Sequence, residues 1–307
     1  KRMKYHKPVL LEKSIKSLIT NTDGVYVDAT FGGGGHSKEI LNCISERGKL
    51  FSFDCDKDVI KNLIDDRRFQ FINSNFTYLK KDLNLNGIFS VDGIIADFGI
   101  SSHQIDTPSR GFSIRFNGPL DMRMNQQGKI NAFDIVNNYS ERKLKLLFKT
   151  YGEITPVGKL VSVIISNRKI SPITTTRDLI NIIKPLTPSR FFRKYASKVF
   201  QAIRIEVNNE LDSIQKLLSQ SVKILRDKGR IVCITYHSLE DRLVKNFFKN
   251  GVFDKNPQTD FFGNKKNSLR TIGKFLVPNQ DELKDNSRSR SAKLRIAEKI
   301  WKIFYRF

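Results

Sequence analysis

Hydrophobic residues in the first hundred positions form short runs that alternate with amphipathic stretches. Four of these runs have the composition of buried β-strands, at residues 24–28, 49–54, 69–72 and 91–97. Between them, residues 36–44 and 59–64 carry apolar side chains at helical spacing. Strands that alternate with helices in this way predict a parallel, doubly wound α/β sheet.

The alternation stops after Asp97 and resumes at residues 230–235. A plain crossover between parallel strands needs on the order of a dozen residues, far fewer than are present. Amphipathic helical patterns occur in between, at residues 144–151, 157–168, 176–183 and 199–224. We therefore predict a helical insertion at 108–207 within a discontinuous α/β domain of residues 1–107 and 208–307.

Three further elements are expected in the second half of the chain. The helix before residues 230–235 should end at residues 227–229, because Gly229 is a typical terminator. Residues 250–267 are polar and predict a loop. Residues 287–297 alternate basic with small or apolar residues and predict a last edge strand with one cationic face.

A glycine-rich turn, residues 28–36 (DATFGGGGH), joins the first strand to the first helix. Glycines permit positive φ and close approach of a ligand to the backbone, and the helix start offers free N–H groups. A dinucleotide enzyme would use the same place. However, the GxGxxG pattern fails, since Ser37 stands at its last position when counting starts at Gly32.

Carboxylates stand at the ends of three predicted strands, at Asp28, Asp54 and Asp97. With Gly32 they favour a cationic sulfonium cofactor, S-adenosylmethionine, over a nicotinamide. Asp54 can also accept hydrogen bonds from ribose hydroxyls, as in an NAD site. Phe76 follows the third strand, where its ring would either cover an adenine face or pack in the core.

The chain is strongly basic, with 54 Lys and Arg against 31 Asp and Glu and a formal net charge of +23. Such an excess attracts polyanions, nucleic acid first, although a composition rich in Lys, Asn and Ile accounts for part of it. A steep loss of RNA affinity with salt would show that the charge is functional. Candidate phosphate contacts are Arg110, Arg115, Arg123, residues 265–270, Arg288, Arg290 and Arg295.

Cysteine and histidine patterns give no sign of a metal site. The three cysteines, Cys43, Cys55 and Cys233, form no CxxC pair and are expected to be small core residues. No apolar window approaches the roughly 20 residues needed to span a bilayer, and the first residues lack a signal-peptide pattern. We expect a soluble, reduced, cytoplasmic protein.

Several segments along nearly the whole chain closely resemble the bacterial small-subunit rRNA cytosine-N4 methyltransferases, the RsmH (MraW) family. They are residues 6–12, 28–37, 97–106, 110–113, 118–124, 200–205, 208–211, 237–242 and 289–295. The resemblance implies a class I methyltransferase fold, Rossmann-like, with an inserted helical domain. It further implies S-adenosylmethionine as the cofactor and N4-methylation of a cytidine in the decoding region of 16S rRNA, within the small ribosomal subunit.

The resemblance also assigns site residues by position. Those that match the family's cofactor contacts are Gly34, Gly35, His36, Asp54, Phe76, Asp97 and Gln104. The sequence departs from the family where it has Lys194-Tyr195 for His-Pro, Lys198 for Arg, Phe98 for Leu and Tyr236 for Phe. We expect the insertion, residues 108–207, to be the RNA-recognition domain. The departures leave the cofactor motif intact and weaken the expectation of tight RNA contacts in the insertion.

Methylation of an amino group requires an acceptor for its proton, because cytosine N4 is a poor nucleophile. DNA amino-methyltransferases have a (D/N)PPY segment after the fourth strand, whereas this chain has Asp97-Phe98-Gly99-Ile100 there. We predict Asp121 or His237 as the group that contacts N4. Asp121 could instead pair with Arg123, and His237 could be a helix cap.

Two other functions stay open at this point. One is an amino-methyltransferase that acts on another nucleic acid or on protein. The other is a catalytically weak, RNA-binding ribosome assembly factor. The retained carboxylates and glycines argue against the latter. The sequence leaves open whether the chain forms a homodimer.

Overall fold

The computed structural model describes residues 8–254 and 267–300. The chain forms two compact units, residues 1–99 with 211–307, and residues 100–210. Most of the polar stretch predicted as a loop falls outside the described residues. The same holds for His6 and Lys7 of the first motif and for Lys265 and Lys266 of the basic run.

Helices and strands alternate up to Asp97 and again from Leu225, with consecutive helices in between. The strands are β1 (Val25–Asp28), β2 (Lys49–Phe53), β3 (Phe69–Ile72), β4 (Val91–Asp97), β5 (Leu225–Thr235), β6 (Leu269–Thr271) and β7 (Lys293–Lys299). The α-helices are α1 (Leu11–Leu18), α2 (Gly35–Cys43), α3 (Leu79–Leu85), α4 (Ser102–Asp106), α5 (Ala132–Asn138), α6 (Glu141–Thr150), α7 (Gly158–Ile170), α8 (Thr176–Ile183), α9 (Ser189–Asn208), α10 (Glu210–Ile224), α11 (Ser238–Asn250) and α12 (Gln280–Asp285).

The first unit contains a seven-stranded sheet in the order β3-β2-β1-β4-β5-β7-β6. Strands β1 to β5 are parallel to one another, and β7 runs antiparallel to both β5 and β6. The order reverses between β1 and β4, so their carboxyl ends lie at the switch point where α/β sheets bind ligands. The prediction of a doubly wound α/β sheet is confirmed.

Alternate residues of the central strands pack on opposite faces of this sheet. In β4, Ile94 and Ala96 join a cluster with the apolar sides of α3, α10 and α11, while Ile95 joins a second cluster with α1 and α2. These side chains are fully buried. Because both faces are covered, the sheet is a rigid support for the loops at its carboxyl edge.

The second unit is helical. Helices α5 to α9 enclose a core that includes Phe148, Leu160, Leu179 and Phe200. The helix predicted over residues 199–224 is in fact two helices, and α9 begins ten residues earlier. The break lies at Asn209, whose φ of 52° is a left-handed conformation that Asn adopts at helix ends.

Several other predicted elements were wrong in detail. Helix α10 ends at Ile224 rather than at residues 227–229, because Leu225 already pairs with Val91 in the sheet. Residues 59–64 do not form an α-helix, since a short 3-10 helix spans Lys57–Asn62. The last strand, β7, is not an edge strand. Strand β6 covers its outer side.

Cysteine positions agree only in part with expectation. Cys233 is buried in β5, whereas Cys43 is exposed at the end of α2 and is not a core residue. Within the described residues, no helix is both long enough and apolar enough to cross a bilayer.

Candidate active site

The turn between β1 and α2 continues the hydrogen bonding of the sheet beyond the strand. The backbone N–H of Ala29 donates to the carbonyl of Ile95 at 2.8 Å, and that of Phe31 donates to the carbonyl of Phe53 at 2.9 Å. The turn is therefore tied to the carboxyl ends of both β4 and β2. Its shape is set before any ligand binds.

Three of the four glycines in this turn are required by the local backbone conformation or by a close neighbour. Gly32 and Gly34 have φ of 49° and 74°, left-handed conformations in which a side chain is strained. A Cβ on Gly35 would lie 2.1 Å from Cγ of Pro8. The turn therefore brings its backbone close to the sheet edge, with α2 starting directly after it.

Asp28, at the end of β1, is an internal support for the turn. Its side chain is 1% exposed. One carboxylate oxygen accepts from the backbone N–H of Thr30 at 3.0 Å, and the other accepts from Oγ of Ser37 at 2.7 Å. Burial raises the pKa of Asp28. Both oxygens thus have a partner within the turn, and direct contact between Asp28 and the cofactor stays a prediction.

Asp54, at the end of β2, holds the turn and also reaches the surface. Its Oδ2 accepts from the N–H of Gly32 at 2.9 Å, and its Oδ1 accepts from the N–H of Asp56 at 2.9 Å. Burial raises the pKa of Asp54 to about 6, although the two backbone hydrogen bonds act in the opposite direction. Each carboxylate oxygen has a second lone pair, so the partly exposed side chain can still accept from hydroxyl groups.

Asp97, at the end of β4, is the third carboxylate. Its backbone N–H donates to Oγ1 of Thr30 at 2.7 Å. The phenol of Tyr236 donates to its Oδ1 at 2.8 Å, and Nδ1 of His36 lies 4.0 Å from its Oδ2. Burial raises the pKa of Asp97 to about 6, while His36 and Tyr236 lower it. With 23% of its side chain exposed, Asp97 can accept from a cationic ligand.

The side chains of His36 and Phe76, both predicted to contact the cofactor, are largely packed within the protein. His36 is 5% exposed, and its Nε2 lies 3.2 Å from the carbonyl oxygen of Val9. The ring of Phe76 meets that of Phe98 edge to face, with centroids 6.2 Å apart. Phe76 is half-buried, so it packs on the core and keeps a part of its ring at the surface.

His237 begins α11 directly after β5, at the same edge of the sheet. Its Nδ1 accepts from the N–H of Glu240 at 3.5 Å, and its Nε2 lies 3.1 Å from Oε1 of Glu240. Glu240 in turn accepts from the N–H of Tyr236 at 2.8 Å. His237 is thus the helix cap that we considered as the alternative to catalysis, and the capping geometry leaves the imidazole at the carboxyl edge.

Gln104 and Asp121 belong to the second unit. Gln104 is 6% exposed and caps α4 reciprocally with Ser101. Asp121 forms an ion pair with Arg123, in which Nη2 lies 2.6 Å from Oδ2 and Nε lies 3.0 Å from Oδ1. This hydrogen bonding raises the pKa of Arg123. Asp121 therefore has the salt bridge that we considered as its alternative role.

Several arginines expected to contact phosphate are engaged within the protein. Arg110 is 5% exposed and donates to the carbonyl oxygens of Arg123 and Met124. Arg295 pairs with Asp241, with Nε 2.7 Å from Oδ1. These two guanidinium groups stabilise the fold, whereas Arg115 and Arg290 are exposed.

The sequence reasoning missed Tyr236 as a member of the site. Its phenol is the donor that orients the Asp97 carboxylate, and burial followed by the nearby Asp97 raises the pKa of Tyr236 well above 10. The available signal was its departure from the family's usual Phe, next to His237 at the end of the returning strand.

The chemistry of this edge fits S-adenosylmethionine. Glycines let the backbone approach the ligand, and the partly exposed carboxylates of Asp54 and Asp97 suit its ribose hydroxyls and its cationic amino-acid part. The sheet order, with one antiparallel strand inserted before the edge, is that of the class I methyltransferases. Fold and site together define a class I S-adenosylmethionine-dependent methyltransferase.

Comparison with known proteins narrows this class. The family model described as "MraW methylase family" matches residues 3–300, and the chain belongs to this family. A protein of Flavobacterium johnsoniae called "Ribosomal RNA small subunit methyltransferase H" is 50% identical over 97% of this chain and 99% of its own length. One of Christiangramia forsetii with the same name is 47% identical, with the same coverage.

Solved structures include a distant likeness. The rRNA methylase of Streptococcus thermophilus has 9% sequence identity to this chain and a TM-score of 0.40, and the match covers 94% of this chain and 93% of that one. The family assignment rests on the family model and the two sequence relatives.

Proposed function

We propose that this protein transfers a methyl group from S-adenosylmethionine to N4 of a cytidine in the decoding region of 16S rRNA. The observation that carries the proposal is the identity of about half of its residues, over 97% of the chain, with relatives named as small-subunit rRNA methyltransferases. The target atom comes from the motif resemblance. A duplex hides N4, so the cytidine must be unpaired or extruded to react.

The cofactor-binding part of the proposal follows the contacts of the first unit. Asp54 accepts from the ribose hydroxyls, and Asp97 accepts from the ammonium group. When bound, S-adenosylmethionine supplies an electrophilic methyl group on a sulfonium. The other first-unit residues proposed to line its site are Gly32, Gly34, Gly35, His36 and Phe76, with Asp28 as an internal support. Gln104, in the second unit, stays a prediction from the resemblance.

The residues on the substrate side must hold N4 in line with the methyl carbon and accept one proton. As the N–C bond forms and the C–S bond breaks, N4 loses a proton to an acceptor. We propose His237 over Asp121 because of its position, although its Nδ1 must release the 3.5 Å cap hydrogen bond from the N–H of Glu240 before it can accept a proton. The imidazole lies at the carboxyl edge of the sheet that carries Asp97, whereas Arg123 donates to both oxygens of Asp121.

Methyl transfer from labelled cofactor to purified small subunits, naked 16S rRNA, DNA and protein tests the function. We expect labelling of rRNA, and mass spectrometry of rRNA from a complemented deletion strain should show N4-methylcytidine at one position. Labelling of DNA or protein alone would contradict the proposal. If calorimetry detected no binding of S-adenosylmethionine, an RNA-binding assembly factor would replace it.

A further inference from the structure

The C-terminal part of the helical unit contains a long stretch of one charge sign. Between Asp178 and Glu206 no acidic residue occurs, whereas six basic residues do. They are Lys184, Arg190, Arg193, Lys194, Lys198 and Arg204. Most of this stretch forms helix α9, so the basic side chains extend at regular helical spacing.

The basic residues at the start of α9 lie on one side of the helix. Arg190, Arg193 and Lys194 are spaced i, i+3 and i+4, and all three are exposed. The other side of α9 packs in the core of the unit through Ala196, Val199, Phe200 and Ile203. The basic side chains therefore extend from a helix whose position is fixed by its buried side.

An aromatic ring lies within this basic surface. Phe191 is 51% exposed, so part of its ring is accessible to a ligand. The guanidinium group of Arg190 lies over its ring, 4.7 Å from the centroid. An aromatic ring and a cation thus lie side by side. In sites that bind single-stranded nucleic acid, such a ring stacks on a base and such a cation contacts the phosphate backbone.

Carboxylates of the described residues do not neutralise the charges on this side. Among the residues described, Arg193 and Lys194 form no ion pair. Further along the helix the cations are engaged, since Lys198 donates to the carbonyl of Glu153 at 3.1 Å and Arg204 pairs with Glu210 at 2.8 Å. The available charge is therefore concentrated in the first two turns of α9.

We propose that this surface of α9, formed by Arg190, Phe191, Arg193 and Lys194, binds a single-stranded RNA segment. The three cations contact successive phosphates, and the ring of Phe191 stacks on one unpaired base. The inference rests on the proposed function, because rRNA is the polyanion that a small-subunit rRNA methyltransferase meets. Duplex RNA fits less well, since its bases are stacked and its major groove is too narrow for side chains.

The test compares two triple variants with the same change in net charge. The first is Arg190→Gln/Arg193→Gln/Lys194→Gln, and the control is Arg142→Gln/Lys149→Gln/Lys169→Gln, exposed positions on α6 and α7. Fluorescence anisotropy with a labelled single-stranded oligoribonucleotide is measured over a range of salt concentrations. We expect the slope of log affinity against log salt to fall by about 2 for the first variant, at roughly 0.7 per phosphate contact. The control should retain the slope.

The ring is tested separately, in the wild-type charge background. Phe191→Ala and Phe191→Leu should both weaken single-stranded binding by about tenfold, since base stacking requires an aromatic face, while Phe191→Trp should retain it. Equal affinities of Leu and Phe would mean that no base stacks there. Tighter binding of duplex than of single-stranded RNA would also contradict the proposal.

Methylation by the wild-type protein separates this inference from the proposed function. If the wild-type protein methylates rRNA and both triple variants lose affinity equally, the α9 surface is not the RNA site and the function stands. If the wild-type protein methylates no RNA and the α9 surface instead captures an acidic protein, both proposals fail. Unchanged helical circular dichroism and an unchanged urea unfolding midpoint show that either variant is folded.

Discussion

Polar groups at the carboxyl edge of the sheet differ from those on α9 in the number of hydrogen bonds that they form within the protein. At the sheet edge, Asp54 and Asp97 accept hydrogen bonds from the turn and from Tyr236, so their orientation is fixed before a ligand arrives. On α9, Arg193 and Lys194 extend into solvent. A small cofactor with one binding pose benefits from preorganised groups, whereas a flexible strand of RNA is bound by mobile cations. Variants in the two regions should therefore affect different ligands.

The largest expected effect concerns His237, which is both a helix cap and the proposed proton acceptor. Asn is a good N-cap, so His237→Asn removes the imidazole and keeps α11 capped, whereas His237→Ala removes both. If the ring accepts the N4 proton, both variants should lose about 100-fold in kcat, the lower range for general base catalysis. Single-turnover methylation at saturating RNA measures this loss.

Unfolding of the two His237 variants and turnover of Asp121→Asn are the controls for the His237 prediction. His237→Ala should unfold at a lower denaturant concentration than His237→Asn. We expect its free energy of unfolding to be about 1 kcal/mol smaller, because the cap is lost. Asp121→Asn should affect kcat less, because Arg123 already occupies its carboxylate. If His237→Asn kept normal turnover while Asp121→Asn did not, the roles of the two residues would be exchanged.

Asp97 tests the preorganised region directly. Asp97→Asn keeps the shape of the side chain and removes its charge, which should weaken binding of S-adenosylmethionine by roughly 30- to 150-fold, as about 2 to 3 kcal/mol is typical for a hydrogen bond between charged groups. RNA affinity should not change. Calorimetry and anisotropy on the same preparation measure the two, with Asp212→Asn, an exposed ion-pair partner on α10, as the control. A parallel loss of RNA affinity would mean that the two regions are coupled.

Asp28 should behave differently from Asp97 although both end central strands. Asp28→Ala leaves the N–H of Thr30 without its acceptor and removes one of the two partners of the buried Ser37 hydroxyl, which keeps Ser52. We expect a loss of about 2 kcal/mol in the free energy of unfolding, typical of buried unsatisfied groups. Urea denaturation of the cofactor-free protein measures it, and Asp97→Asn should cost less. Equal stability of wild type and Asp28→Ala would remove its role as an internal support.

How much of this could be predicted from sequence depends on the range of the interactions. Strand β4 and helix α8 were predicted at their observed bounds, because local hydrophobic periodicity is enough to define them. The place of β7 inside the sheet could not be predicted, since it depends on pairing with β6, a three-residue strand with little pattern of its own. The break at Asn209 was missed because the apolar periodicity continues through it.

The candidate site shows the same division. Motif spacing was enough to identify Asp54 and Asp97 as carboxylates at strand ends. It could not show that Asp28 faces inward, or that Arg110 and Arg295 are bonded within the protein, because both depend on contacts between distant segments. Nor could it distinguish Arg193 and Lys194 from other surface cations, since that requires knowing where carboxylates are absent in space.

Tyr236 gives the smallest and most specific prediction, a shift in pH dependence. Asp97 has a pKa of about 6, raised by burial and lowered in part by the phenol of Tyr236. Protonated Asp97 is therefore more favoured in the folded, cofactor-free protein than in the unfolded chain, so its contribution to stability should decrease as pH rises from about 4 through 6. Binding of the cationic cofactor requires the charged form, so its affinity should increase over the upper part of that range.

Tyr236→Phe removes the phenol donor and retains the ring. Without that hydrogen bond the pKa of Asp97 should rise further, so the midpoint of cofactor affinity against pH should move up by about one unit, equivalent to about 1.4 kcal/mol. Calorimetric titrations between pH 5 and 8 measure the midpoint, and Tyr139→Phe in the second unit is the control, since that phenol bonds Glu206 instead. A uniform loss of affinity at all pH values would show that Tyr236 only packs against the site. An upward shift would show that one hydroxyl sets the charge of the carboxylate on which the cofactor depends.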